Sequence, residues 1–134
     1  MLKKIHHVGI VVRNLEQAYA FYRDTLGLPV HKVAVVEDQG VKAALLTIGG
    51  SEIELLEPIN ESGGVAKFLE KRGEGIHHIC FDSGAVAFDL KRVSEEGFPV
   101  IDETPRESLG ELIAFLHPKG LNGVLVEFKE KKES

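Results

Sequence analysis

Cysteine is nearly absent. Cys80 is the one thiol in the chain, which excludes an internal disulfide framework and a cysteine-rich zinc site. Flanked by Ile79 and Phe81, it reads as a small buried hydrophobe rather than a nucleophile. The apolar runs are only a few residues long, so neither a membrane span nor an export signal is expected, and the cytoplasm is the expected compartment. Basic residues are outnumbered 16 to 21, and the formal charge of -5 disfavours nucleic acid as a partner. A local basic pocket for an anion is still compatible with that balance. The phosphate-loop lysine and serine, the dinucleotide fingerprint and the serine nucleophile elbow are also missing. Gly49-Gly50 and Gly73-Glu74-Gly75 therefore read as turns.

What is present is ordinary globular material. The chain has 134 residues, 43% of them hydrophobic and 28% charged, which suits a single folded domain rather than a disordered segment. Residues 4–12 alternate loosely and predict a strand, and Asn14 is placed to cap a helix. Leu15, Ala18, Tyr19, Phe21, Tyr22 and Leu26 recur at the spacing of one buried helical stripe, which Gly27 and Pro29 terminate. Strands are expected over 30–36, 41–48 and 52–57. The first half, 4–58, is thus strand, helix and three strands. Residues 59–75 read as a linker with a short helix around Val65, Phe68 and Leu69. The same order returns over 76–128: a strand at 76–81, a helix at 85–96, a short extended piece at 98–101, and strands at 111–117 and 123–128. Residues 129–134 read as a frayed, charged tail.

The order of elements is not the only thing repeated. Ile5-His6-His7-Val8 opens the first half and Ile76-His77-His78-Ile79 opens the second, an offset of 71 residues. Ile53-Glu54-Leu55 and Val126-Glu127-Phe128 close the halves, 73 residues apart. Each half is too small to bury a comfortable core alone, so the two are expected to form one domain. Strand alternation allows only one histidine of each pair to face inward, and spacing alone leaves open which one. A carboxylate among apolar neighbours is costly unless it is paired or ligates a metal. Two imidazoles and two carboxylates suit a borderline or hard divalent ion, with two positions left in a six-coordinate shell. His7, Glu54, His78 and Glu127 fit such a site if the first and last strands of each half line a shared cleft. His31 reads as a surface residue, and His117-Pro118-Lys119-Gly120 as a polar rim between two strands.

These residues, with Gln39-Gly40-Val41, Glu54-Leu55-Leu56-Glu57-Pro58, Phe68–His78, Phe115-Leu116-His117-Pro118-Lys119 and Gly123-Val124-Leu125-Val126-Glu127, resemble the methylmalonyl-CoA epimerase family. That family belongs to the vicinal oxygen chelate group, which includes glyoxalase I. The resemblance runs from Ile5 to Phe128 and implies an α+β fold of tandem βαβββ modules. It also implies His7, Glu54, His78 and Glu127 as metal ligands, with His6 and His77 as neighbours. Some relatives carry glutamine at the place of Glu54. Cobalt or manganese is the implied ion, with zinc or nickel as alternatives, and the implied assembly is a homodimer. The implied reaction interconverts the stereoisomers of methylmalonyl-CoA by removing and returning the α-proton, with Glu127 as the catalytic base. A characterised branch has a second glutamate where this chain has Ala43, so the other proton must come from a different group. Arg106 and Lys119 are candidates for binding the substrate's carboxylate or the coenzyme's phosphates. The rival readings are a lactoylglutathione lyase (glyoxalase I) and a metal-free small-molecule-binding protein.

Overall fold

The computed structural model describes residues 1–131. Among them the order is β1 (Leu2–Val11), α1 (Leu15–Tyr19), β2 (Val30–Val36), β3 (Val41–Ile48), β4 (Ser51–Pro58), α2 (Gly64–Arg72), β5 (Gly75–Ser83), α3 (Val86–Glu95), β6 (Arg106–Ser108), β7 (Glu111–Leu116) and β8 (Leu125–Lys131). One βαβββ pattern therefore occurs twice, with α2 between the copies. The chain divides into two compact units: His7–His77, and Met1–His6 together with the chain from His78 onward.

In the first unit the strands lie in the order β2-β3-β4-β1, with β3 antiparallel to β2 and β4, and β4 parallel to β1. Alternation sends Leu55, Ala44 and Leu46 to one face, where they are buried with Val12, Leu15 and Tyr19 of the α1 region. Val11, Val41, Ala43 and Leu56 go to the other face and are covered by Val65 of α2, with Phe68 and Leu69 beside it. That packing extends α2 to nine residues, beyond the short helix expected. The start of α1 is satisfied twice. Gln17 N donates to Asn14 Oδ1 at 3.0 Å, and Leu15 N donates to Glu57 Oε1 at 2.8 Å.

The single regular helix expected through Leu26 is not what forms. After Tyr19 the chain runs as a π-helix over Ala20–Thr25, and Leu26 N donates to the carbonyl five residues back, on Phe21, at 2.8 Å. Tyr22 still packs against the core, whereas Phe21 is 53% and Leu26 50% exposed.

The second unit has the order β5-β8-β7-β6, with β5 and β8 parallel and β7 antiparallel to its two neighbours. Ala114, Leu116 and Phe128 form one face and bury Val86 and Leu90 of α3 against it. Val86 N, at the start of α3, donates to Glu130 Oε1 at 2.7 Å. This repeats the Leu15–Glu57 contact of the first unit at equivalent places. Asp89 is fully buried. Burial alone would raise its pKa, but the Ser83 hydroxyl at 2.6 Å, the Met1 ammonium at 3.2 Å and the Arg92 guanidinium outweigh it. Together they hold the carboxyl below its ordinary value.

Three expectations for this unit need correction. The piece at 98–101 makes only an isolated bridge, Val100 to Leu116, and the second strand of the copy is β6, a three-residue edge strand. The last strand starts at Leu125 because Asn122 and Gly123 both have positive φ and form a turn. Residues 129–131 are strand rather than frayed tail. Lys129 Nζ reaches Glu111 Oε1 at 3.6 Å and Glu130 caps α3, so charges that look solvated in sequence have partners. Positions 132–134 of the expected tail lie outside the described residues.

Candidate metal centre

Register decides which histidine of each pair turns inward. In the first unit Gly9 pairs with Glu54 in the parallel β1–β4 ladder, so His7, two residues earlier, shares a sheet face with Glu54. That face is the one carrying Val11, Ala43 and Leu56. His7 is 1% exposed, and its Nε2 lies 3.3 Å from Glu54 Oε1, whose side chain is 17% exposed. The second unit repeats the construction. Cys80 pairs with Glu127 in the parallel β5–β8 ladder, so His78 shares the face of Glu127. Its Nε2 again lies 3.3 Å from the glutamate Oε1, and both residues are nearly closed to solvent.

Each unit therefore presents one imidazole nitrogen and one carboxylate oxygen side by side. A separation of 3.3 Å is slightly beyond an ordinary N–H···O bond. It is near the separation of about 3 Å expected for two neighbouring ligands that each sit about 2.1 Å from one ion. Nitrogen and carboxylate oxygen are also the donor types that borderline divalent ions take. The residues present fit a metal.

The other candidates fall in definite places. Cys80 is fully buried on the His78 face, as a small hydrophobe would be. Arg106 starts β6, pairs with Ile113 and therefore lies on the same face as Phe115 and Glu127. Its Nε donates to Asp102 Oδ1 at 3.2 Å, and its guanidinium sits 5.5 Å from the centre of the Phe115 ring. The Phe115 ring in turn stands edge-on to His78, with centroids 6.2 Å apart. Lys119 lies in the turn after β7, where its backbone N–H donates to His117 Nδ1 at 3.0 Å. His117 is thus engaged in shaping that turn.

Sequence reasoning missed two arrangements. His31 is a surface residue as expected, but it is also paired: a bulge between Val30 and Lys32 interrupts the β2–β3 register, and His31 Nδ1 contacts Glu52 Oε2 at 2.8 Å. Glu52 pairs with His7 and lies two residues before Glu54 on the same face. Asp102 has no signal in the sequence, and Phe115 enters only within the Phe115–Lys119 segment, with nothing to join either to Arg106. Their signal is tertiary, since Asp102 stands 13 residues from the Phe115 N–H it accepts. Elsewhere in the first unit an open cleft of about 750 Å³ runs between Arg13, Pro58, Asn60 and Leu69. It is lined by neither His7 nor Glu54.

Residues 6–115 match the family described as the glyoxalase/bleomycin resistance protein/dioxygenase superfamily. The ethylmalonyl-CoA/methylmalonyl-CoA epimerase of Cereibacter sphaeroides is 39% identical over 133 residues, covering 97% of this chain and 99% of that protein. A solved methylmalonyl-CoA epimerase in complex with methylmalonyl-CoA and ammonium superposes with a TM-score of 0.92. It is 40% identical and covers 98% of this chain and 96% of its own. A variant of the Streptomyces coelicolor methylmalonyl-CoA epimerase in complex with 2-nitronate-propionyl-CoA gives 0.93 at 40% identity, covering 99% and 100%. The chain belongs to the glyoxalase/bleomycin resistance protein/dioxygenase superfamily and, within it, to the methylmalonyl-CoA epimerase family.

Proposed function

We propose that this chain epimerises methylmalonyl-CoA between its R and S forms, with His7, Glu54, His78 and Glu127 together holding one divalent ion. Cobalt or manganese suits two imidazoles and two carboxylates, and zinc or nickel could replace them. The observation that carries the reading is the repetition: one His–Glu pair in each unit, at the same register, each with Nε2 and Oε1 3.3 Å apart. A structural role for one such pair is unremarkable, but the same His–Glu pair built twice implies a shared task.

The chemistry asks for a weakly acidic C–H between a thioester and a carboxylate to lose its proton. When bound, the ion supplies Lewis-acid stabilisation of the charge that develops on the thioester oxygen, worth several kcal/mol in general. The protein supplies the rest. His7 and His78, closed to solvent, fix the direction from which their neighbouring carboxylates act. Glu127 Oε1 stands beside His78, and Oε2 is the oxygen we assign to the proton on one face of the α-carbon, which it takes from one stereoisomer. Cys80, fully buried and paired with Glu127, lines the floor of that face and helps exclude water. Ala43 carries no exchangeable proton, so delivery to the opposite face of the carbon belongs to another carboxylate, a histidine or a water. Arg106 and Lys119 are the cations we assign to the substrate's anionic groups. We place the enzyme in the cytoplasm as a homodimer. Among the described residues, no helix is long and apolar enough to cross a membrane.

The test pairs metal analysis with solvent-deuterium exchange into methylmalonyl-CoA, run beside hemithioacetal conversion. The reading expects a bound divalent ion, rapid exchange, and loss of both in folded His78→Ala. Rapid hemithioacetal isomerisation without methylmalonyl exchange would select the glyoxalase I chemistry instead. Neither activity, with no stoichiometric metal, would leave a binding protein.

A further inference from the structure

Arg106 offers five N–H donors in a fixed fork, and the structure uses only one edge of it. Its Nε donates to Asp102 Oδ1 at 3.2 Å, and no other hydrogen bond or ion pair engages it among the described residues. The guanidinium plane rests over Phe115, and the register of β6, β7 and β8 puts it on the face of Glu127. A cation held at one edge, supported by an aromatic ring and open at its other edge is built to receive an oxyanion in two-pronged fashion.

Asp102 does more than hold this cation. Its Oδ2 accepts from Phe115 N at 2.8 Å, and its own N–H donates to Phe115 O at 3.1 Å. One residue therefore fixes the backbone of Phe115 on both sides and the guanidinium above the Phe115 ring. The same ring stands edge-on to His78. Through these contacts the position of the fork is tied to the position of the His78–Glu127 pair.

We propose that Arg106 is the oxyanion anchor of the substrate, and that Asp102 is a positioning residue that aims it. This rests on the epimerase reading and deepens it. The acyl carboxylate and the phosphates of the coenzyme are the two anions a methylmalonyl-CoA substrate brings, and both suit the open fork. The anchor binds substrate without handling the α-proton, so its loss moves KM rather than kcat.

The experiment uses the metal-loaded full chain and measures deuterium incorporation into methylmalonyl-CoA and into methylmalonyl-pantetheine, which lacks the coenzyme phosphates. Arg106→Lys keeps the charge and loses the fork; KM should rise roughly tenfold with kcat nearly unchanged. Asp102→Asn keeps an oxygen for Phe115 N but has no carboxylate for Arg106 Nε, so its KM should rise in the same direction with metal content and Tm preserved. The double variant should be no worse than Arg106→Lys, because Asp102 acts through Arg106. An equal KM effect on both thioesters assigns the fork to the acyl carboxylate, and an effect lost on the pantetheine thioester assigns it to a phosphate. The proposal is overturned if Arg106→Lys or Asp102→Asn leaves KM unchanged, if the two effects multiply, or if kcat falls while KM holds. Wild-type protein inactive on both thioesters would instead overturn the epimerase reading itself.

Discussion

Replacing each glutamate by glutamine in turn separates ligation from proton transfer. The two His–Glu pairs have the same atoms at the same 3.3 Å, so a purely structural or electrostatic role predicts similar losses from Glu54→Gln and Glu127→Gln. The account predicts a large asymmetry. Glutamine keeps an oxygen that can face the ion but cannot take a proton, so Glu127→Gln removes general-base catalysis. That contribution is typically 10²–10⁴-fold, or about 3–5.5 kcal/mol in the barrier. Glu54→Gln removes one negative charge from a position 17% exposed and keeps the oxygen donor, so its loss should stay below roughly tenfold. Solvent-deuterium incorporation into methylmalonyl-CoA at saturating metal gives both numbers, with metal content measured in parallel to confirm loading. Equal losses, or a Glu127→Gln enzyme within tenfold of wild type, would refute the assignment of the proton to Glu127.

Stability predictions follow from the packing. Leu55→Ala empties a fully buried position under α1 and should cost about 2–5 kcal/mol in urea unfolding. Glu57→Ala and Glu130→Ala each remove the acceptor at a helix start and should cost similar amounts, about 0.5–2 kcal/mol each, in the same assay. Asp89 has its folded pKa lowered, so its contribution is present above the unfolded carboxylate value and is lost as pH falls through the folded one. Thermal melts below about pH 4 should therefore show a steep loss in wild type and a shallower one in Asp89→Asn.

Much of the fold is legible because its signals are local. The β-branched run at β2 and the segment before Gly49-Gly50 gave strands at the observed bounds, Val30–Val36 and Val41–Ile48. Asn14 caps α1 as its side chain chemistry suggests. The paired histidines and flanked glutamates announced the repeat, and register then showed that His7 and His78 are the members turned to the glutamates. What stayed hidden depends on distant partners. The π-helix after Tyr19 has no signature in the apolar spacing, which is that of a regular helix. β6 is three polar residues at a sheet edge, with no alternation long enough to read. Glu57 and Glu130 look like solvated strand ends until the helices whose N–H groups they accept are in place. Arg106 could be named as a cation near a ligand, but Asp102 and Phe115, which aim it, are joined to it only by tertiary contacts.

Metal stoichiometry probes the shared-ion claim most directly. Elemental analysis of purified, metal-saturated protein should give one divalent ion per chain, and His7→Ala and His78→Ala should each abolish it although they alter different units. Two ions per chain, or full retention of the ion in either variant, would contradict the claim that both His–Glu pairs serve a single metal.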